Sequence, residues 1–325
     1  MTETRAGRPL VAGYAAVVSD LDGVVYRGPA AVPGAVEALT AVTVPVIYAT
    51  NNASRPAEVV AEHLRELGLT CTPGMVATSS EAGAWLLSDR LEPGAQVLAV
   101  GGPAVALALR EVGLSPVTAQ DRRSGAAAPV AALQGYGPDV TASDLAEVAY
   151  AAQDGALWVA TNTDASLPTD RGVAPGNGSL VAAVRGAVGR DPDLVAGKPE
   201  APLYLLCARR LQVAVTSVLA VGDRLDTDIE GAVAAGADSL LVLTGVDDLA
   251  ACLAAPRHRR PTWVAPDLSA LHADPSAPSP GGSSLVDLAA AVAAVHDATD
   301  RGAPATELAT LTSVAERVLA QVTHR

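Results

Sequence analysis

Two aspartates two positions apart, Asp20 and Asp22, end a short apolar run at residues 15–18, and Gly23 follows them. Such a run, bounded by polar residues, has the pattern of a strand buried on both faces of a parallel sheet. Parallel sheets bind ligands beyond the carboxyl ends of their strands. The pair is therefore presented where chemistry is done, and the glycine lets the chain turn away sharply. Two neighbouring carboxylates repel each other, which invites a divalent cation, and Mg²⁺ prefers oxygen ligands and retained water. Beside a metal and a lysine, one carboxylate can attack phosphorus while the other handles the proton of the leaving group. A lone Asp-x-Asp is more often an Asx-rich surface turn, so the motif gains force only from partners at other strand ends.

Three further stretches qualify. Thr50, Asn51 and Asn52 close the apolar run 44–49 and precede a helix expected over 56–67, with Ser54 as its N-cap. A hydroxyl and amides beside a helix N-terminus make an anion cradle, although a capped turn without a ligand has the same look. Lys198, in Gly197-Lys198-Pro199, supplies a cation after a turn. Asp223, Asp226 and Asp228 follow the run 217–221 and precede a helix expected over 229–235, stopped by Gly236. Caps and dipole-compensating charges account for one or two such acids and less comfortably for three. Asp226 reads as the cap or surface acid among them.

The elements that must position these residues alternate as strands and helices, the pattern of an α/β fold. The expected architecture is a doubly wound, Rossmann-like parallel sheet formed by residues 1–82 and 179–275. A small α/β domain at 83–178 interrupts it. The Pro-, Gly- and Asn-rich stretch from Asn162 to Gly178 reads as an ordered loop, either a connection or a substrate-facing element. Residues 276–284 read as a flexible linker. Two Ala-rich helical patterns beyond it, at 285–298 and 305–322, form a tail without catalytic duty. That tail is a docked hairpin or a self-association element, which leaves a homo-oligomer open; turnover per folded molecule should survive its removal.

At 325 residues the chain suits two domains. It has no Phe and 3% aromatic residues, so Val, Leu and Ala must fill the core. A formal charge of −13 with no dense Lys/Arg stripe argues against nucleic acid or an anionic membrane as partner. Any phosphate site must then be compensated locally. Cys71, Cys207 and Cys252 are scattered and form no Cys-x-x-Cys, as expected of thiols in a reducing compartment. His63, His258, His272, His296 and His324 are dispersed, which disfavours a histidine triad or zinc site. No leader-like segment and no apolar run near ~20 residues is present, so a soluble cytoplasmic protein is expected.

The motifs Asp-Leu-Asp-Gly-Val-Val-Tyr-Arg-Gly, Ala-Thr-Asn-Asn-Ala-Ser, Pro-Gly-Asn-Gly-Ser-Leu, Gly-Lys-Pro and Gly-Asp-Arg-Leu-Asp-Thr-Asp-Ile occur in this order. Together they resemble the haloacid dehalogenase-like phosphatases. The nearest subgroup holds the nucleotide phosphatase of the N-acetylglucosamine operon, pyridoxal phosphatase, and the phosphoglycolate and glycerol-3-phosphate phosphatases. The resemblance runs from about residue 17 to 267 and leaves out the tail.

It implies that Asp20 is the nucleophile, forming an aspartyl-phosphate, and that Asp22 protonates the leaving alkoxide and then activates water. Mg²⁺ would be held by the Asp20 and Asp223 carboxylates and the Asp22 backbone carbonyl, with Asp228 orienting its waters. Thr50, Asn51 and the backbone of Asn52 would hold the transferring oxygens, and Lys198 would neutralise Asp20 and the phosphoryl group. The middle block would be a cap, with Asn162, Asp164 and Arg171 as specificity candidates and Tyr26 and Arg27 meeting it from the core side. The function so implied is a Mg²⁺-dependent phosphomonoesterase of a small metabolite, of the glycerol phosphate or phosphoglycolate type. A phosphotransferase is the neighbouring alternative, and a non-catalytic phosphometabolite-binding protein the more distant one. The presence of both Asp22 and Lys198 counts against the last.

Overall fold

The computed structural model describes residues 7–169 and 171–323, so His324 lies outside the described residues. Its strands are β1 Ala16–Ser19, β2 Tyr26–Arg27, β3 Ala30–Ala31, β4 Val46–Thr50, β5 Val76–Thr78, β6 Gln96–Val100, β7 Ser115–Thr118, β8 Ala131–Gln134, β9 Leu157–Ala160, β10 Ser166–Thr169, β11 Gly172–Pro175, β12 Leu194–Val195, β13 Val218–Gly222, β14 Asp238–Val242 and β15 Trp263–Ala265. The helices are α1 Ala35–Thr40, α2 Ala57–Glu66, α3 Ser79–Ser88, α4 Pro103–Glu111, α5 Ala119–Arg123, α6 Ala142–Gln153, α7 Asn177–Val188, α8 Pro202–Leu211, α9 Glu230–Ala235, α10 Leu249–Leu253, α11 Leu285–Asp300 and α12 Ala305–Thr323. Contacts divide the chain into two compact units.

The first unit gathers residues up to Tyr48, Arg65–Thr70, and everything from Cys207 onward. Its strands lie in the order β15-β14-β13-β1-β4 and pair in parallel. Every residue of β1 and β13 is buried. β-Branched side chains such as Val17, Val18 and Val221 suit strands covered on both faces. From β1 the chain moves outward to β4 on one side and later to β13, β14 and β15 on the other. The strand order therefore reverses beside β1, the position at which open α/β sheets place their ligands. Asp20 comes directly after it.

The tail belongs to this unit's core. Ser284 opens α11 with a capping box to Asp287. Leu288, Val292 and Val295 of α11 and Ala315 of α12 share one buried cluster with Leu241 of β14, Val264 of β15, and Leu249, Cys252 and Leu253 of α10. A fully buried Leu or Val contributes about 1.5–3 kcal/mol, so the docked-hairpin expectation holds. The flexible-linker expectation does not. Ser279 N donates to Ser283 O at 2.8 Å, and the Ser279 and Ser283 hydroxyls donate to the backbone O and Oε1 of Gln321, each at 2.6 Å. Serines that suggest solvated chain are here used on a carbonyl at the end of α12, where helical partners run out.

The second unit comprises Ala49–Leu64 and Cys71–Leu206. It has its own parallel sheet, in the order β12-β9-β8-β6-β7. Side chains alternate across it with the strand period of two. Val97, Leu133 and Val159 pack with Leu87 of α3 and Leu109 of α4. Leu98, Ala132 and Trp158 pack with Val148 of α6 and Val184 of α7. The edge strands β7 and β12 carry short, mixed sequences and were not expected. Within the stretch 162–178, residues 166–169 and 172–175 pair as the antiparallel hairpin β10–β11.

Candidate active site

The acidic residues expected at the site lie in the first unit. Asp20 follows β1, and its N–H donates to Val221 O of β13 at 2.8 Å, so it stays level with the end of the neighbouring strand. Asp223 follows β13 directly. Asp20, Asp223 and Asp228 offer carboxylate oxygens that all lie within 4.8 Å of one another, with Asp223 and Asp228 buried and Asp20 half-buried. At 4.8 Å two full charges repel by about 3 kcal/mol even at an effective dielectric near 20.

The protein holds them together regardless. Val246 N donates to Asp223 Oδ2 at 2.8 Å, and Asp247 N to Asp223 O at 3.1 Å. Thr244 Oγ1 donates to Gly23 O at 2.8 Å, and Leu225 N to Asp247 Oδ2 at 2.7 Å. A Cβ at Gly23, whose φ is +83°, or at Gly245 would collide with the Asp223 carboxylate. This cradle of three crowded acids, with glycines cut away around one of them, fits an oxygen-preferring divalent ion. The loop 244–247 was not anticipated as part of the site. Thr244-Gly245 immediately after a strand was the available signal.

Asp228 sits in a π-helical turn, Leu225–Ile229, before α9. The expected helix began only at 229. π-type turns insert a residue and recur at functional sites. Here Asp228 turns inward, where Arg224 N donates to its Oδ2 at 3.1 Å. Asp226 pairs outward with the Arg224 guanidinium at 2.9 Å, both side chains more than two-fifths exposed. Those hydrogen bonds hold the Asp226 carboxyl below the usual range. It is the surface acid expected. Asp22 is exposed, in a turn closed by Gly23 N donating to Tyr26 O at 2.8 Å.

The expected phosphate-binding amides and Lys198 lie in the second unit or at its start, at the end of β4. Thr50 ends β4 and is buried; its Oγ1 accepts from Asn52 N at 3.0 Å. Asn52 Oδ1 accepts from Ser54 N at 2.9 Å and Ser54 Oγ at 2.8 Å. This is an Asx-type turn, so the Ser54 hydroxyl serves Asn52, and α2 begins at Ala57. Asn51 is a hub. Its Oδ1 accepts from Lys198 N at 2.8 Å, while Nδ2 donates to Lys198 O at 2.9 Å and to the Asp164 carboxylate at 3.0 and 3.3 Å. Its backbone O accepts from Ser79 Oγ and Asn162 Nδ2, each at 2.7 Å. Gly197 leaves room for it, since a Cβ there would stand 2.5 Å from Asn51 Oδ1.

Lys198 is 2% exposed, and its Nζ donates to Ala49 O at 3.3 Å. Asn162 Oδ1 accepts from Asp164 N at 3.1 Å. Arg171 stands exposed at the turn of the β10–β11 hairpin. Sequence reading missed Ser79, Ser80 and Asn177. Ser80 Oγ holds Ala53 O at 2.8 Å, and Asn177, at the start of α7, donates to Asn162 O at 2.7 Å. Thr78-x-x-Glu81, which forms a full capping box, was the signal for the serines.

Two family models match the chain: haloacid dehalogenase-like hydrolase over residues 17–115 and HAD-hydrolase-like over residues 195–271. The chain belongs to the haloacid dehalogenase-like hydrolases, as its motifs led one to expect. D-glycerol 3-phosphate phosphatase of Mycobacterium tuberculosis is 49% identical to it over 266 residues, 81% of this chain and 73% of the relative. Acid sugar phosphatase of Staphylococcus aureus is 35% identical over 239 residues, 73% of this chain and 89% of the relative. Among solved structures, glycerol phosphate phosphatase from M. tuberculosis in complex with magnesium matches with a TM-score of 0.78 at 47% identity, covering 84% of this chain and 82% of the other. Among the described residues no helix is long and apolar enough to cross a membrane.

Proposed function

We propose that the chain is a Mg²⁺-dependent phosphomonoesterase of a small phosphorylated metabolite, with glycerol phosphate as the preferred type. The observation that carries this reading is the cluster of Asp20, Asp223 and Asp228 within 4.8 Å, in a chain 49% identical to a glycerol 3-phosphate phosphatase. Asp20 and Asp223, with the backbone carbonyl of Asp22, would hold the ion, and Asp228 would orient its waters. When bound, Mg²⁺ supplies positive charge against the carboxylates and the phosphoryl oxygens.

An Asp20 oxygen attacks phosphorus. As the P–O bond to the alcohol breaks, protonated Asp22 gives its proton to the departing alkoxide, leaving an aspartyl-phosphate and an ionised Asp22. Asp22 then takes a proton from the water whose oxygen attacks phosphorus, which releases Asp20 and inorganic phosphate. Thr50 and Asn52, which hydrogen-bond each other at 3.0 Å, exchange that bond for the phosphoryl oxygens. Lys198 offsets the charge of Asp20 and the phosphoryl group, so most of the catalysis is positioning and charge stabilisation.

Residues 83–178 act as the cap that reads the leaving group, through Asn162, Asp164 and Arg171. The three cysteines are buried and form no disulfide, which suits a reducing cytoplasm. The test is phosphate release from glycerol 3-phosphate, phosphoglycolate and a sugar phosphate, with Mg²⁺ or EDTA. Turnover should require Mg²⁺, be fastest on glycerol 3-phosphate, and fall by on the order of 10⁴-fold or more in Asp20→Asn. Absence of release from folded, Mg²⁺-loaded protein would overturn the reading. Transfer to an added alcohol in preference to water would assign a phosphotransferase instead.

A further inference from the structure

The C-terminal hairpin lies beyond both stretches matched by the family models, the second of which ends at residue 271. It is nonetheless joined to the acidic cluster by one short element, α10. On its tail-facing side, His296 of α11 is 5% exposed and its Nε2 stands 2.8 Å from Cys252 O of α10. A carbonyl only accepts, so Nε2 carries the proton and the ring donates. On its other side α10 is capped by Asp248, whose Oδ1 accepts from Ala251 N at 2.8 Å. The two residues before that cap grip the site. Val246 N holds Asp223 Oδ2 at 2.8 Å, and Asp247 N holds Asp223 O at 3.1 Å. The Asp247 carboxylate also accepts from Leu225 N, the first residue of the turn that carries Asp228.

The same path is packed. Leu225 and Ile229, at the two ends of that turn, share one apolar cluster with Leu249 and Cys252 of α10 and with Leu288 and Val292 of α11. Interiors at this packing density transmit small shifts.

We propose that His296 is a positioning residue for the metal-binding carboxylates, acting through α10 on Asp223 and on the Leu225–Ile229 turn. The hairpin then does more than add stability: it fixes how α10 presents the 246–247 backbone to Asp223. This inference rests on Asp20, Asp223 and Asp228 being the Mg²⁺ ligands, and titrating the wild type alone tests that premise.

The experiment is calorimetric titration of Mg²⁺ into the full-length, metal-free protein, with thermal melting of each variant in parallel. If the wild type shows no saturable Mg²⁺ binding, the metal reading itself fails. Given that binding, His296→Phe keeps an apolar ring but loses the donor, and it should weaken Mg²⁺ by about three- to tenfold, at or below the low end for outer partners of metal ligands. His296→Gln, whose Nε2 can still donate to Cys252 O, should recover most of that loss. A His296→Phe variant that melts earlier while binding Mg²⁺ as tightly as the wild type would overturn the proposal. So would a His296→Gln variant as weak as the Phe. If the Phe variant does not fold, His296→Leu takes its place: a smaller apolar side chain that also lacks the donor to Cys252 O. A twofold or greater weakening of Mg²⁺ would then support the proposal, and unchanged affinity would overturn it.

Discussion

In the unit that carries Asp20 and Asp223, three like charges are crowded within 4.8 Å by backbone N–H groups and by glycines that leave space. In the unit that carries Asn51 and Lys198, side-chain amides meet backbone groups and the Asp164 carboxylate: each end of the Asn51 side chain is used, as are both polar atoms of Asn162. The first arrangement gathers like carboxylates onto backbone N–H donors, in space that glycines leave open. The second is knitted by side-chain hydrogen bonds through Asn51 and Asn162. The acidic half should therefore respond most to a change of shape, and the amide half to the loss of a single hub.

The sharpest break is one added methyl group. Gly245→Ala drives a Cβ into the Asp223 carboxylate; it should weaken Mg²⁺ by about 10- to 100-fold, the range seen when the surroundings of a metal ligand are disturbed. Calorimetric titration checks this, and wild-type affinity would show that the crowding is not what sets the acids. Asn51→Ala should act on the other side alone. It leaves the Lys198 backbone and Asp164 without their amide partner, which lowers stability by about 1–3 kcal/mol. We expect kcat/KM on glycerol 3-phosphate to drop roughly tenfold, the equivalent of about 1.4 kcal/mol, while Mg²⁺ affinity stays at the wild-type value. A parallel loss of Mg²⁺ binding would erase the contrast between the halves.

A smaller effect follows from pH. Burial lowers the His296 pKa below its ordinary 6.5, opposed by the hydrogen bond to Cys252 O and by Asp300 and Asp297 on its own helix, and helped by Arg260. The unfolded chain then binds the proton first, so stability is complete above pH 6.5 and falls below it, by at most ~1.4 kcal/mol per pH unit. Its neighbours Cys252 and Asp300 stay fixed across that window. Cys252 is pushed up to about 12, and Asp300, hydrogen-bonded by Arg260 and Arg257, is held at about 2. Melting temperature should thus fall more steeply from pH 7.5 to 5.5 in the wild type than in His296→Gln, and equal slopes would remove His296 as the cause. The smallest effect belongs to Asp226→Ala. An exposed pair with Arg224 contributes about 0.5 kcal/mol or less, so denaturant midpoints and turnover should both stay near wild type, in contrast to its neighbour Asp228.

Much of the site was legible because its signals are local. Asp20 and Asp22 follow a four-residue buried strand, and Thr50-Asn51-Asn52 and Gly222-Asp223 also end apolar runs. The position of an acid at a strand tip depends only on where the strand stops. The parallel sheet around β1 was readable for the same reason, since Val17 and Val18 can satisfy burial on both faces only inside such a sheet. The edge strands β7 and β12 were not, because edges need little apolar sequence. The clasp of residues 279–283 on Gln321 was hidden as well: serine-rich sequence reads alike whether its hydroxyls meet water or a helix end.

By itself, then, the amino-acid sequence determined which groups are available and on which strand or turn each is carried, because strand burial and turn chemistry act over a few residues. Only the tertiary structure decided how those groups are held. Asn51 meets Asp164 and Lys198 across 113 and 147 residues. The 244–247 loop reaches Asp223 from the end of a different strand, and His296 reaches α10 across 44 residues. Such contacts follow from how the sheet and helices pack, and no local pattern records them, because a hydrogen bond constrains where two atoms stand and leaves no mark on the residues that lie between them in the chain.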